Sequence, residues 1–193
     1  MNIIDKSVNK NGASEKIKNG VAEGDARKAI YTLLQWIGED PEREGLIETP
    51  KRVLKAYREW FAGYDQSPKE ILSKTFSEVN GYDQMVVLSD VKFSSYCEHH
   101  MAPIVGKVHL GYLPKDKVVG LSKLARLVDV FAKRLQVQEK MTSQIANALQ
   151  SNLNCDGVGV IVEAAGAACI LGSHEREGCT LRLRFIRHCT RFL

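Results

Sequence analysis

Cysteine and histidine side chains stand close together at Cys97-Glu98-His99-His100, the stretch of the chain best suited to chemistry. Cys97 and His100 are three residues apart, and Zn²⁺ accepts both thiolate sulfur and imidazole nitrogen as ligands. His99 lies between them and remains as a candidate proton-transfer group. A catalytic zinc ion usually has three protein ligands and a water molecule, so this pair needs a third ligand from elsewhere. From spacing alone, a buried cysteine beside surface histidines is an equally good interpretation.

The third ligand is sought among the later cysteines. Five cysteines are an odd number without the spacing of a disulfide framework, which favours free thiols or metal ligands in a reducing compartment. Cys155 lies in the turn Asn154-Cys155-Asp156-Gly157 and is assigned no role. The candidates for the third ligand are Cys169, Cys179 and Cys189.

Cationic side chains open a predicted helix at Ser122-Lys123-Leu124-Ala125-Arg126, after Gly120. Lys123 and Arg126 are three residues apart and therefore share a helix face. A serine hydroxyl, free backbone N–H groups and two cations at a helix start suit a phosphate group. Without further context, a solvated basic helix face is the better interpretation of this segment.

An amide and a carboxylate stand side by side at Gln138 and Glu139, between two predicted helices. Together they suit a polar heterocycle such as guanine, whose N1–H and 2-amino groups are donors. The alternative is an ordinary helix start, with an acidic residue placed favourably near the helix dipole. Alone, the pair favours that alternative.

Two helices are predicted ahead of these residues. The first has an apolar face with helical spacing and ends at Glu39-Asp40-Pro41. The second begins at Thr49-Pro50, an N-cap followed by proline, and Gly63 suits its end. The apolar positions are Ile30, Leu33, Leu34 and Ile37 in the first, and Val53, Leu54, Tyr57 and Phe61 in the second.

Strand periodicity begins after Asn80-Gly81. Residues 85–93 are rich in β-branched side chains, and residues 107–112 alternate between apolar and polar before Pro114. Two strands, 158–163 and 181–185, come after the last helices, the second with a basic outer face. The two intervening helices have the apolar faces Leu124, Leu127, Val128, Phe131 and Leu135, then Met141, Ile145, Leu149 and Leu153. The order β-β-α-α-β-β predicts an α+β fold, an antiparallel sheet with both helices on one face.

Composition limits the class of protein. The 193 residues suffice for one domain with a helical extension, and 44% hydrophobic with 26% charged residues are ordinary for a globular protein. The net charge of +4 is too weak to indicate nucleic acid, and no apolar run approaches the roughly 20 residues of a membrane helix. The polar N-terminus lacks a signal peptide, so we expect a cytoplasmic protein. We divide the chain into a flexible arm (1–20), a helical region (21–80) and a catalytic domain (81–193).

Four stretches together closely resemble the GTP cyclohydrolase I family: Cys97-Glu-His-His100, Gly106-Lys-Val-His-Leu-Gly-Tyr112, Gly120-Leu-Ser-Lys-Leu-Ala-Arg126 and Arg134-Leu-Gln-Val-Gln-Glu139. The resemblance extends upstream to Glu48-Thr-Pro-Lys-Arg52. It implies a tunnelling fold in a homodecamer of two pentameric rings, with active sites between subunits. It also implies hydrolytic opening of the GTP imidazole ring, loss of C8 as formate and formation of 7,8-dihydroneopterin triphosphate for folate and related pterins.

The resemblance assigns roles by position. Cys97 and His100 correspond to zinc ligands, with Cys169 as the third, and His99 corresponds to an acid/base group. Gln138 and Glu139 correspond to the guanine-binding pair. The remaining substrate-binding residues, most of them facing the triphosphate, are Arg52, Glu98, Ser122, Lys123 and Arg126.

The late strand departs from the family pattern Glu-Ala-x-His-Met-Cys-Met-x-x-Arg-Gly. Here the chain reads Glu163-Ala-Ala-Gly-Ala-Ala-Cys-Ile-Leu-Gly-Ser173. Without a gap, the family's histidine, cysteine and arginine fall on Gly166, Ala168 and Gly172. One inserted residue restores Cys169 as a ligand, at the cost of a strand bulge. No gap restores the histidine.

This departure leaves three hypotheses. The chain is an active or weakened zinc-dependent GTP cyclohydrolase I that uses Cys97, His100 and Cys169. Alternatively, it is a catalytically impaired relative that keeps the nucleotide pocket as a binding or regulatory subunit. In the third, the atypical tail from His174 to Leu193 reflects a shifted reading frame or a variant end, which leaves a defective protein.

Overall fold

Four stretches of the chain, residues 17–76, 84–115, 117–166 and 181–187, are described by the structure, a computed structural model. The predicted ligand Cys169, the positions Ala168 and Gly172, and the tail residue His174 lie outside them. The chain divides into two compact units, with the boundary between Glu59 and Trp60. Within the described ranges, no helix is long and apolar enough to span a membrane.

The first unit begins with a short hairpin. Strands β1 (Ile17–Lys18) and β2 (Val21–Ala22) pair antiparallel across Asn19 and Gly20. Both turn residues have positive φ, 53° and 80°, as a tight hairpin turn that matches the strand twist requires. Ile17 and Lys18, assigned from sequence to the arm, thus belong to this hairpin.

Helices α1 (Glu23–Trp36) and α2 (Thr49–Trp60) follow, as the sequence predicts. Helix α1 ends before the predicted Glu39-Asp40-Pro41, because Gly38 takes up a positive φ of 93° there. Gly38 N donates to Gln35 O (3.0 Å), and Glu39 N donates to Leu34 O (3.0 Å). This pair of bonds is a Schellman motif, which satisfies the last helix carbonyls and stops the helix.

The second unit is a five-stranded sheet with helices packed against it, which confirms the α+β class. In chain order the elements of this unit are a 3-10 helix (Ala62–Asp65), α3 (Pro68–Leu72), β3 (Thr75–Phe76), β4 (Val86–Cys97), β5 (Pro103–Leu113), β6 (Val118–Val119), α4 (Leu121–Ala132), β7 (Leu135–Gln136), α5 (Gln138–Leu153), β8 (Gly157–Gly166) and β9 (Leu181–Arg187). The strand order in the five-stranded sheet is β7-β4-β5-β8-β9, and β3 pairs with β6 separately.

One sheet face and the two long helices form the core. The predicted apolar faces of α4 and α5 are buried, apart from Leu135, and so are alternating apolar residues of β5 and β8, namely Val108, Leu110 and Tyr112 with Val158, Val160, Val162 and Ala164. Side chains of this kind contribute about 1.5–3 kcal/mol each when fully buried. The largest fully buried members are Tyr112, Leu72, Leu110, Leu124, Leu127, Met141, Ile145, Leu149 and Leu153.

Two sequence-based boundaries are wrong in ways that matter for the site. The strand expected to end at Phe93 continues as β4 to Cys97. Leu135, expected on the helix face, lies instead in β7, which pairs parallel with β4 through Tyr96↔Leu135 and Cys97↔Gln136. Helix α4 ends at Ala132, and the two-residue strand β7 lies between it and α5. The pairing of β7 with β4 is parallel, whereas the other described strand pairs of this sheet are antiparallel.

Candidate functional site

A tight turn between β4 and β5 carries the Cys97–His100 segment. Cys97 is the last residue of β4, and its N–H donates to Ala102 O (2.8 Å). Met101 N donates to Cys97 O (2.8 Å), and Met101 has a positive φ of 53°. These bonds close the chain into one turn, which brings the side chains of Cys97 and His100 to the same side.

Cys97 Sγ and His100 Nδ1 are 3.8 Å apart. Zinc bonds of about 2.3 Å to sulfur and about 2.0–2.1 Å to nitrogen at a tetrahedral angle separate the two ligand atoms by about 3.6 Å. The pair therefore fits a shared zinc ion. The exposed His99 ring lies 6.3 Å from the His100 ring, centroid to centroid, and nearly perpendicular to it.

A third ligand is not found within the described residues, where no group of three His, Cys, Asp or Glu side chains converges on one point. Cys169 lies outside those residues. Strand β8 runs parallel to β4, since both pair antiparallel with β5. Its last residue, Gly166, pairs with Ile104, which pairs in turn with Ser95. Strand β8 is thus directed toward the end of the sheet at which Cys97 lies.

Aromatic packing supports the end of β4. The ring of Trp60 stacks on that of Tyr96 with centroids 5.0 Å apart and 22° between planes. Phe61 packs against the same Tyr96 ring at 5.4 Å in a tilted arrangement. Tyr96 precedes Cys97, so these rings restrain the residue next to the candidate ligand.

The start of α5 lies beside the Cys97–His100 turn. Glu98 N donates to the backbone oxygen of Gln136 (3.0 Å). The carboxylate of Glu98 and Lys140 Nζ form an ion pair at 3.0 Å. Gln138 and Glu139, the predicted guanine-binding residues, lie between these two contacts in sequence. The predicted metal-binding residues and the predicted guanine-binding residues therefore lie on neighbouring segments.

Gln138 is half-buried and its amide is oriented by the sheet. Gln138 Nε2 donates to Val162 O of β8 (2.9 Å). Glu139 is exposed in the first turn of α5. Gln138 borders a cavity of about 10 Å³, whose other lining residues include Phe93, Ser95, Ile104, Met141 and Ala164. Pockets that enclose small molecules usually have about 300–1,000 Å³, so this one is small for a nucleotide.

The predicted phosphate-binding residues lie on the first turns of α4. Ser122 and Arg126 are exposed and Lys123 is half-buried, and Lys123 N donates to Gly120 O (2.8 Å) as the helix begins. Arg126 borders an open cleft, not the pocket of Gln138. Other residues of that cleft are Asp65, Gln66, Ser67, Glu70, Asp129 and Lys133. Carboxylates thus share the cleft with Arg126. Helical spacing accounts for Asp129, three residues further along α4, but not for Asp65 and Glu70.

Arg52 belongs to the first compact unit, where it is exposed on α2. Two residues near the turn, Gln136 and Lys140, were not predicted to take part in the site. Lys140 contacts Glu98 across 42 positions of sequence, and no local pattern indicates such a pair.

Comparisons with known proteins agree on one family. A family model described as GTP cyclohydrolase I matches residues 26–182. The proteins named GTP cyclohydrolase 1 from Brucella canis and from Brucella abortus strain S19 are each 56% identical over 161 residues, which cover 83% of this chain and 75% of the relative.

Two solved structures show a low overall similarity. The archaeosine synthase QueF-Like in the apo form has a TM-score of 0.44 at 17% identity, covering 53% of this chain and 91% of its own. A dihydroneopterin aldolase from Burkholderia, bound to guanine, has a TM-score of 0.37 at 14% identity, covering 62% and 95%.

Proposed function

Because the chain belongs to the GTP cyclohydrolase I family, we propose that it hydrolyses GTP at C8 and releases formate. Rearrangement then yields 7,8-dihydroneopterin triphosphate, the entry to folate and tetrahydropterin synthesis. One structural observation supports the assignment of this activity to particular residues. The turn with the zinc-compatible pair Cys97 and His100 is hydrogen-bonded to the strand that precedes the guanine-binding candidates. The family also supports a tunnelling fold preceded by a helical extension.

Zinc is the cofactor that fits the donor set. Cys97 and His100 would hold it with Cys169 as the third ligand. When bound, zinc would supply the Lewis acidity that makes water a nucleophile near neutral pH. Thiolate and imidazole are the ligand types that zinc prefers, and the 3.8 Å separation of Sγ and Nδ1 supports the pair.

His99 is proposed as the acid/base group. Its exposed imidazole adjoins His100 in the turn and is assigned no ligand role. Imidazole is the side chain best suited to both accept and donate a proton in the neutral pH range. Release of C8 as formate hydrolyses both the C8–N9 and the C8–N7 bond, each freed nitrogen takes up a proton, and His99 would supply one of these protons.

Guanine recognition is assigned to Gln138 and Glu139. The Glu139 carboxylate is an acceptor for the N1–H and 2-amino donors, which adenine does not offer in that arrangement. Gln138 Nε2 is engaged by Val162 O, which fixes the plane of the amide beside the base. A base held by two fixed groups presents C8 in one orientation, which lowers the entropic part of the barrier.

The triphosphate is assigned to the cationic residues Arg52, Lys123 and Arg126, together with the hydroxyl of Ser122. Their binding energy, remote from C8, helps to hold the base in place. Glu98 is proposed as a further substrate-binding residue. Its pairing with Lys140 leaves the carboxylate at the edge of the guanine-binding helix start.

We propose a homodecamer of two pentameric rings with sites between subunits, as the family implies. The small pocket at Gln138 and the separate cleft at Arg126 support a site that one chain does not complete. Exposed apolar side chains on and just after α1 also support assembly, since Leu33, Trp36 and Ile37 are 54%, 81% and 58% exposed. The location in the cytoplasm remains part of the proposal.

The alternative is a catalytically impaired relative that binds nucleotide or regulates a partner. One observation favours it: Gly166, the last residue of β8, stands where the family pattern has histidine. Glycine has no side chain to bind substrate or carry a proton.

Metal content and turnover separate the two. The purified protein is assayed for bound zinc and, with GTP, for formate and dihydroneopterin triphosphate. Zinc at one per chain with turnover, both lost in Cys97→Ser and both kept in Cys155→Ser, supports the enzyme. Protein that binds GTP without forming formate would instead support the impaired relative.

A further inference from the structure

Gln136 is hydrogen-bonded to the end of α4, to α5 and to the Cys97–His100 turn. The mechanism proposed above gives it no role. We propose that Gln136 is a positioning residue, which holds the Cys97–His100 turn and the guanine-binding start of α5 in one fixed arrangement. The inference rests on the proposed function of that site, since it takes Gln138 and Glu139 as the groups that contact the base.

The side chain of Gln136 is buried, with 1% of its surface exposed. Its Nε2 donates to Phe131 O (2.8 Å) and to Gln144 Oε1 (2.9 Å). Phe131 O is one of the last carbonyls of α4, which have no partner within the helix. The amide therefore ties the end of α4 to the second turn of α5. Two acceptors fix which way the amide points, because only nitrogen can donate to both.

The backbone of the same residue holds the candidate metal turn. Gln136 O accepts the N–H of Glu98 (3.0 Å), and Gln136 is the parallel partner of Cys97. Since β7 has only two residues, it depends on its side-chain anchors for position. A shift of Gln136 would therefore move Glu98 and the start of α5 at the same time.

Arg134, the residue before β7, fixes the N-terminal end of this strand. Arg134 Nε donates to Gly63 O and to Val130 O, both at 3.0 Å. Ser95 Oγ, also buried, donates to Arg134 O (3.3 Å). These contacts fix the residue before β7, and Gln138 Nε2 fixes the start of α5 on Val162 O. Between these two anchors, the side chain of Gln136 bonds to both α4 and α5. Gln136 is therefore the residue at which the two halves of the site are aligned.

The test uses Gln136→Met, which keeps the length of the side chain and removes the donor. Gln150→Met is the matched control, because Gln150 lies on α5, the helix that Gln136 contacts through Gln144, and its Nε2 donates an equivalent bond to a backbone oxygen, Cys155 O (2.7 Å). Amide hydrogen exchange over residues 97–101 reports on the turn without any need for activity. We expect exchange there to accelerate about tenfold in Gln136→Met and to stay within about twofold in Gln150→Met.

Substrate binding gives a second measurement. We expect Gln136→Met to raise the KM for GTP by about tenfold, a shift of about 1.4 kcal/mol, and Gln150→Met to leave it unchanged. If Gln136 acts through the base-contacting residues, Gln136→Met adds little to the KM of Gln138→Met. A residue with a merely structural role would give additive effects on KM.

The outcomes are separable. Unchanged exchange over residues 97–101 in folded Gln136→Met, or additive effects in the double variant, overturns the proposal. If Gln136→Met does not fold, Gln144→Met removes one acceptor and keeps the bond to Phe131 O. Faster exchange in that variant supports the proposal, and unchanged exchange overturns it. Absence of turnover in the unsubstituted protein would count against the proposed function, while the exchange measurement still decides the role of Gln136.

Discussion

The backbone N–H of Gly63 donates a 3.0 Å hydrogen bond to the carbonyl oxygen of Lys133. Gly63 O in turn accepts from Arg134 Nε at 3.0 Å, so the 3-10 helix is held against the segment between α4 and β7. The approach is close enough to require glycine. A Cβ atom at Gly63 would lie 2.2 Å from Val130 O and 2.7 Å from Lys133 O.

Gly63→Ala is therefore predicted to destabilise the protein. Both obstructing atoms belong to the backbone and cannot rotate away, so the helix ends must separate. We expect a loss of about 1–3 kcal/mol in the free energy of unfolding, measured by urea denaturation. The matched control is Gly159→Ala in β8, where a Cβ atom has no neighbour within 4 Å among the side chains and backbone that the structure describes. Equal losses in the two variants would contradict the close-approach explanation.

His99 and His100 are predicted to separate catalysis from metal binding. His99→Ala should keep bound zinc while its turnover falls by about 10²–10⁴-fold, the usual contribution of a general acid or base. His100→Ala should lose zinc and turnover together, because Nδ1 is the proposed ligand atom. Zinc content by mass spectrometry and formate release measure the two properties. Loss of zinc in His99→Ala would show that the roles are exchanged or shared.

Asp90 is predicted to give the protein a small stability advantage that depends on pH. A hydrogen bond and charge attraction from Lys107, 2.7 Å away, hold the pKa of Asp90 below its ordinary value of 3.8, with His109 acting in the same direction. The carboxylate contribution is complete above pH 3.8 and is lost as pH falls through the lower folded pKa.

Asp90→Asn tests this dependence, because asparagine tolerates the positive φ of 59° at this position. The urea midpoints of the two proteins should differ near pH 6 and converge below pH 3.8. The effect should also shrink in high salt, since the pair is exposed. A difference that stays constant from pH 6 to the acid range would exclude an electrostatic origin.

Cys155 is predicted to react slowly with thiol reagents. Burial raises the pKa of the Cys155 thiol from 9.0 to about 11. Two pKa units lower the thiolate fraction, and with it the alkylation rate at pH 8, by about a hundredfold relative to an ordinary thiol. Peptide mapping after timed iodoacetamide treatment measures the rate at each cysteine. In urea the protection should disappear, and protection that persists there would point to a cause other than folding.

The fold was predictable to the extent that each element buries a periodic face. The apolar stripes at Leu124–Phe131 and Met141–Leu153 predicted α4 and α5, and alternation in residues 107–112 predicted β5. Leu135 was misassigned because it continues the helical spacing by chance, three residues after the helix ends. A two-residue strand has no period of its own, so only its pairing with Tyr96 and Cys97 reveals it.

The candidate site was predictable where its residues are adjacent in sequence. The spacing of Cys97 and His100 predicted that their side chains are close to each other, and Sγ and Nδ1 are 3.8 Å apart, while zinc binding by the pair stays a prediction. Contacts between distant segments were not predictable, as with the ion pair of Glu98 and Lys140. The positions of Asp65 and Glu70 in the cleft of Arg126 likewise depend on how the 3-10 helix and α3 pack beside α4.

Helix α1 has 14 residues, and none of them is buried within the described part of the chain. Helices shorter than about 12–15 residues are marginal in water unless a packed face supports them. If a second copy supplies that support, mass action makes the helix content of α1 depend on protein concentration. Dilution would then melt α1 while the sheet stays intact, and circular dichroism of the same sample at two concentrations would not superimpose.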